Sequence, residues 1–290
     1  VIGPWNHLGL TSGDSDFSAA PGRLDQWPIM LEWFEHTLKG KPLVTLVPGT
    51  VQTWGVGDVA FQTHAKWPGD IAPTMLELGG GAQANSCAGG LLSATPTATE
   101  PVEFKFDPAN PVPTRGGSSL LSFAFFRNLG ITPGPVEQGD SCAREDVLTF
   151  RGEPTTTASR LSGAARLNLK VSSSAPDTSF VARLIVEQNG QALLVRENAA
   201  TLAYPTADVT SPQSVTPGSE VELSIDFWPI EWVLPAGARW RVDVTSSSFP
   251  ALHVHSNRAG AWELESGFDV ATQRVISGRL ELPLVGLPSP

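Results

Sequence analysis

The sequence predicts a mainly β protein, a β-sandwich of jelly-roll kind entered through a single helix. Three observations carry that expectation. Apolar residues alternate with polar ones in several separate runs, the period of a strand with one face in a core. The 28 Gly and 25 Pro punctuate the chain at short intervals, as an antiparallel protein with many turns requires. Only one stretch, 24–39, repeats its apolar residues every three or four positions.

Taken in order, Val1-Ile2-Gly3-Pro4 reads as the tail of a buried strand cut at Gly-Pro. It has no initiator Met, basic n-region or long apolar stretch, so it is no intact signal peptide, and the chain is expected to begin inside a larger unit. Leu24, Trp27, Met30, Leu31, Phe34 and Leu38 then form one helical stripe. Pro28 fits only near the first turn, and Gly40 with Pro42 supplies the stop. Leu43–Val47 and Thr50–Trp54 are expected to be strands linking that helix to a sandwich beginning near residue 70, and Gly79–Gly90 a flexible loop. Val102, Phe104 and Phe106 alternate with Glu103 and Lys105. Leu167, Leu169 and Val171 alternate with Arg166, Asn168 and Lys170. Val221, Leu223, Ile225 and Phe227 alternate with Glu220, Glu222, Ser224 and Asp226. Trp240, Val242 and Val244 alternate with Arg239, Arg241 and Asp243. Each polar set is expected to face water. Asn189-Gly190 divides two apolar runs and suits a tight hairpin, since both residues accept positive φ. Pro68-Gly69, Pro133-Gly134-Pro135, Pro217-Gly218 and Pro235-Ala236-Gly237 mark further turns. The division expected is residues 1–68 and 69–290.

Composition excludes several classes. With Lys+Arg 19 against Asp+Glu 29, the formal charge is −10. No basic cluster exists to hold phosphates, so no nucleic-acid partner is expected. No apolar stretch approaches the roughly 20 residues of a membrane helix, and no membrane partner is expected. An apolar fraction of 41% with nine Trp and 13 Phe is enough for a core. Two cysteines, Cys87 and Cys142, are too few for a structural zinc site. They form either one disulfide, which loop entropy values at about 4 kcal/mol, or two free thiols.

The candidates for chemistry are few. His7 follows the first strand remnant, the position from which a loop imidazole can serve a serine nucleophile as general base. Yet G-x-S-x-G occurs nowhere in the chain, and Ser172–Ser174 and Ser246–Ser248 lie on or beside strands without such an elbow. His253-Val254-His255 would put two imidazoles on one face of a strand, a zinc-like spacing with no third ligand, so a polar loop pair is the better reading. Asp14-Ser15-Asp16 resembles the start of a calcium loop but lacks the downstream Gly and Glu. His36 and His64 belong to no constellation. Trp27 and Trp240 are assigned to core packing rather than sugar stacking.

Gly3-Pro4-Trp5-Asn6-His7, followed by Trp33-Phe34-Glu35-His36-Thr37-Leu38-Lys39-Gly40, resembles the end of the catalytic domain of the X-Pro dipeptidyl-peptidase and cocaine-esterase-like serine hydrolases. Further matches follow in that family's order: Trp67-Pro68; the string from Asp107 to Gly117; Arg144-Glu145-Asp146-Val147-Leu148; Val171 to Phe180; and Val244 to Pro250 with Ser256-Asn257. Phe61 stands where the family's Trp is expected. The resemblance implies that 1–68 is the last strand, His loop and helix of an α/β-hydrolase domain, and that 69–290 is the jelly roll that follows it. It implies His7 as the catalytic histidine, with the nucleophilic Ser and the triad Asp in an N-terminal half outside this chain. It further implies small peptide, ester or amide substrates and no metal or organic cofactor. The partner expected is that N-terminal half, or a second copy of the chain seated on the helix face. The rival expectation is a non-catalytic sandwich that binds carbohydrate or a protein.

Overall fold

The computed structural model describes residues 1–6, 9–21, 25–96, 100–118, 132–260 and 267–287. His7 and Leu24 lie outside them.

Helix α1 (Gln26–Lys39) starts where Asp25 accepts the N–H of Trp27 at 3.2 Å. It stops at Gly40, whose left-handed backbone lets the N–H groups of Gly40 and Lys41 reach the carbonyls of His36 and Glu35. None of its side chains is buried. Trp27, assigned to a core from sequence, is 76% exposed. Leu43–Val47 is not a strand. The N–H groups of Val44, Thr45 and Leu46 all donate to Glu32 Oε1, at 2.6, 2.8 and 3.1 Å. Three successive donors converging on one oxygen cannot also alternate along a ladder.

Strands β1 (Val51–Thr53) and β2 (Gln62–His64) pair as a hairpin. The remaining elements are β3 (Thr74–Gly79), α2 (Gly81–Ala84), β4 (Gly90–Ser93), β5 (Val102–Phe106), β6 (Leu148–Gly152), β7 (Ser159–Gly163), β8 (Arg166–Ser173), β9 (Ser179–Gln188), β10 (Gln191–Thr201), β11 (Val221–Asp226), β12 (Ile230–Leu234), β13 (Arg239–Thr245), β14 (Ala271–Leu282) and β15 (Leu284–Gly286). The main sheet runs β10-β9-β13-β6-β4-β3-β14-β8-β11, with β5 also on β14; β12-β7-β15 form a smaller sheet. Its two end strands meet, Asn198 Nδ2 of β10 donating to the Asp226 carbonyl of β11 at 2.7 Å. The two ends of the main sheet therefore lie side by side without a ladder between them, and the fold is a β-sandwich. Phe104, Phe106, Phe150, Phe180, Phe227 and Trp232 are among the side chains packed inside.

The predicted alternation holds in β5, where Val102, Phe104 and Phe106 are buried and Glu103 and Lys105 exposed. The hairpin forms at Asn189 (φ 50°) and Gly190 (φ 77°), joining Gln188 to Gln191. Strand β13 departs from expectation, because Arg241 and Asp243 are buried instead of facing water. Asp243 accepts from Arg241 Nε and Nη2 at 2.7 Å each, from Thr149 at 2.9 Å and from Ser141 at 3.1 Å. The 3₁₀ turn Ser141–Ala143 covers this pair, and its Cys142 is bonded to Cys87, with Cα atoms 4.9 Å apart. Gly79–Gly90 is correspondingly no loose loop. It holds α2 and is fixed by that disulfide and by Arg151, which donates to the Cys87 carbonyl at 2.7 Å. The motif strings far apart in sequence lie together. Val112 N donates to Ser247 Oγ at 2.9 Å, Thr114 and Ser248 share a bond of 3.0 Å, and Arg144 holds Asp146 and the Asn110 carbonyl.

Candidate functional site

A cavity of about 350 Å³ opens where the first residues of the chain meet the sandwich. Its first wall begins at Ile2, whose N–H donates to Gln52 O and whose carbonyl accepts from Trp54 N, both at 2.8 Å, so that residues 1–3 run beside β1. Gly3 is required here, because a Cβ would lie 2.0 Å from the ring of Trp5. The Trp5 indole N–H donates to Pro21 O at 2.8 Å. Beyond it Asn6 N donates to Leu10 O, and Gly9 N to Asn6 O. Asn6 lines the cavity, and His7 follows it in sequence but lies outside the described residues.

The opposite walls come from the sandwich: Gly117, Ser118 and Pro133–Pro135, then Val195 and Arg196 of β10, and Pro229–Glu231 entering β12. The two sides are tied at Asp14, which donates from its N–H to Pro135 O at 2.7 Å and accepts from Glu137 N at 2.8 Å. Aromatic surface from Trp5, Phe17, Trp54 and Trp67 lines the space. Phe61 packs edge-on against Trp54, ring centres 5.0 Å apart.

Behind this wall lies a buried charge network that sequence reasoning did not find. Arg160 holds Asp58 through two bonds and Glu231 through a third of 3.2 Å, all three residues being buried. Glu231 also accepts from Trp67 Nε1 and Ser162 Oγ. Donating to Asp58, and then to Glu231, raises the Arg160 guanidinium above its ordinary value. Between Ile230 and Trp232, alternation makes Glu231 the water-facing residue of β12, so nothing local in the sequence marks it as buried. His64 belongs here as well. Its Nε2 is 2.8 Å from Thr53 Oγ1 and 3.9 Å from Glu231. A relay needs the acid on the other ring nitrogen, so this trio is structural.

The remaining sequence candidates lie elsewhere. Asp16 accepts from Ser18 N at 2.8 Å, a turn contact that lowers its carboxyl. His36 Nδ1 contacts Lys41 O at 2.7 Å. His253 and His255 lie in irregular backbone rather than on a strand. Both nitrogens of His255 are engaged, Nε2 with Asp177 at 3.3 Å and Nδ1 with Asn257 N at 3.0 Å, which leaves neither for a metal.

Comparison with known proteins places this geometry. The profile of the X-Pro dipeptidyl-peptidase C-terminal non-catalytic domain matches residues 40–278. A cocaine esterase from Rhodococcus sp. (strain MB1 Bresler) is 32% identical over 268 residues, which is 90% of this chain and 45% of that protein. Two solved structures share the fold at 22% identity. An aminopeptidase from the marine sediment archaeon Thaumarchaeota archaeon has a TM-score of 0.76, covering 98% of this chain and 49% of its own. An alpha-amino acid ester hydrolase has a TM-score of 0.77, with 98% and 50% covered. The chain thus spans about half the length of these relatives. Since the profile match takes in more than three quarters of its residues, the chain belongs to the family of the X-Pro dipeptidyl-peptidase C-terminal non-catalytic domain.

Proposed function

We propose that this chain is the C-terminal part of a serine hydrolase of the X-Pro dipeptidyl-peptidase and acyl-esterase type. In this reading residues 1–68 complete the α/β-hydrolase domain, and 69–290 form a jelly roll that walls the substrate cleft. The observation that carries it is the cavity itself, shared between the Gly3–Asn6 segment and the sandwich. His7 acts as general base on a serine supplied by the N-terminal half. It takes the hydroxyl proton as the serine attacks the carbonyl carbon, then gives it to the leaving group as the acyl-enzyme forms. Water repeats the sequence to release the acid. The substrates are small peptides, esters or amides.

The test uses two proteins. In the parent carrying both halves, His7→Ala is expected to lower kcat on a chromogenic ester or an X-Pro anilide by a factor on the order of 10⁶, with binding retained. Residues 1–290 alone are expected to be silent on both substrates. Turnover by this chain alone that a fluorophosphonate inhibits, or a His7→Ala parent with unchanged kcat, overturns the reading.

A further inference from the structure

We propose that Arg196 makes the cavity a recognition site for a carboxylate, so that it takes small organic acids with an apolar body in preference to their neutral counterparts. The inference rests on the proposed function only in treating such an acid as part of a substrate; the binding itself requires no catalysis.

Arg196 sits on β10 at the cavity wall. A guanidinium carries five N–H donors. Nε and Nη2 donate to the carbonyls of Trp228 and Pro229 at 3.2 Å each, and Nη1 to that of Val195 at 3.4 Å. Two donors remain, and no carboxylate among the described residues forms an ion pair with this side chain. Three buried arginines contrast with it. Arg160 is paired with Asp58 and Glu231, Arg183 with Glu197, and Arg241 with Asp243. Arg196 is half-buried, and a cation partly withdrawn from water with no counter-ion beside it is costly. Burial alone pushes Arg196 down to about 10, which still leaves it charged at neutral pH. Three backbone carbonyls fix its plane, and a fixed fork beside apolar surface is the arrangement that suits a carboxylate.

The nearby acids do not fill this role. Glu231 is committed to Arg160, Trp67 and Ser162, and Glu197 to Arg183. Aromatic surface from Trp5, Phe17, Trp54 and Trp67 offers a seat for the apolar body, and 350 Å³ lies at the small end of ligand cavities. A chain of net charge −10 does not attract anions from a distance. Selectivity therefore has to arise at contact.

The experiment compares 3-phenylpropionate with 3-phenylpropanamide on residues 1–290 at neutral pH, by calorimetry and by quenching of tryptophan fluorescence. The acid is expected to bind at least about tenfold more tightly than the amide, the share of a charged hydrogen bond. Arg196→Gln is expected to level the two, and Arg196→Lys to keep part of the preference. Equal affinity of acid and amide in the unaltered protein, or no binding of either at about 10 mM, overturns the proposal without any variant. So does a preference that survives in Arg196→Gln. An acid preference that depends on Arg196, together with a parent that hydrolyses neither ester nor anilide, defeats the proposed function and leaves this inference standing.

Discussion

At the scale of single residues, the most telling case is Glu32. In sequence it is one more acid on a helix; in the structure it clasps the following loop through the N–H groups of Val44, Thr45 and Leu46. The Leu46 N–H, then those of Val44 and Thr45, hold its carboxyl at about 2 instead of the ordinary 4.5. Because the folded value lies below the unfolded one, the clasp's contribution is complete above about pH 4.5 and is lost as pH falls through about 2. Amide proton shifts of residues 44–46, followed by NMR, should therefore titrate with a midpoint near 2, and Glu32→Ala should speed exchange of these three amides at neutral pH. A midpoint at 4.5 would show that the clasp is not formed. No periodicity announces such a contact, since it joins residues 12 to 14 positions apart through one side-chain oxygen. Hence the sequence reading of Leu43–Val47 as a strand failed where apolar character alone was the guide. The same limit hid the Asp58–Arg160–Glu231 network, whose members are separated by 71 and 102 positions.

At the scale of elements, alternation succeeded wherever a strand had one wet face. Strands β5, β8 and β11 place their apolar residues inward as the period demands. Strand β13 broke the rule because its polar side is roofed by the Ser141–Ala143 turn, and Arg241 and Asp243 then had to find each other. That roof hangs on Cys87–Cys142, a link across 55 positions. Replacing both cysteines by alanine is expected to lower the unfolding free energy by about 2–4 kcal/mol through the loop closed. Urea unfolding of the oxidised protein against the double variant checks this, and a difference below about 1 kcal/mol would mean that the turn stays in place without its tether.

At the scale of the whole molecule, α1 is the unfinished surface. Trp27, Leu31, Trp33, Phe34 and Leu38 are at least half exposed, more contiguous apolar surface than a free-standing chain usually shows. We expect a second polypeptide to cover it, either the N-terminal half of the proposed hydrolase or, in the purified chain, another copy. Light scattering on residues 1–290 should show mass rising with concentration, and Leu31→Lys with Phe34→Lys should abolish the rise. A strictly monomeric particle at high concentration, with nothing bound, removes this expectation.

The sequence by itself determined the fold class, the helix and its stop at Gly40, the Asn189-Gly190 hairpin and the family, because each rests on local periodicity, turn chemistry or contiguous motifs. Tertiary structure alone decided the pairing of Cys87 with Cys142, the burial of Arg241 and Asp243, the clasp at Glu32, and the cavity in which Arg196 has no carboxylate partner among the described residues. These depend on which surfaces meet across the sandwich, and a single chain read in order carries no record of the charge or cover that a distant segment brings to a given side chain.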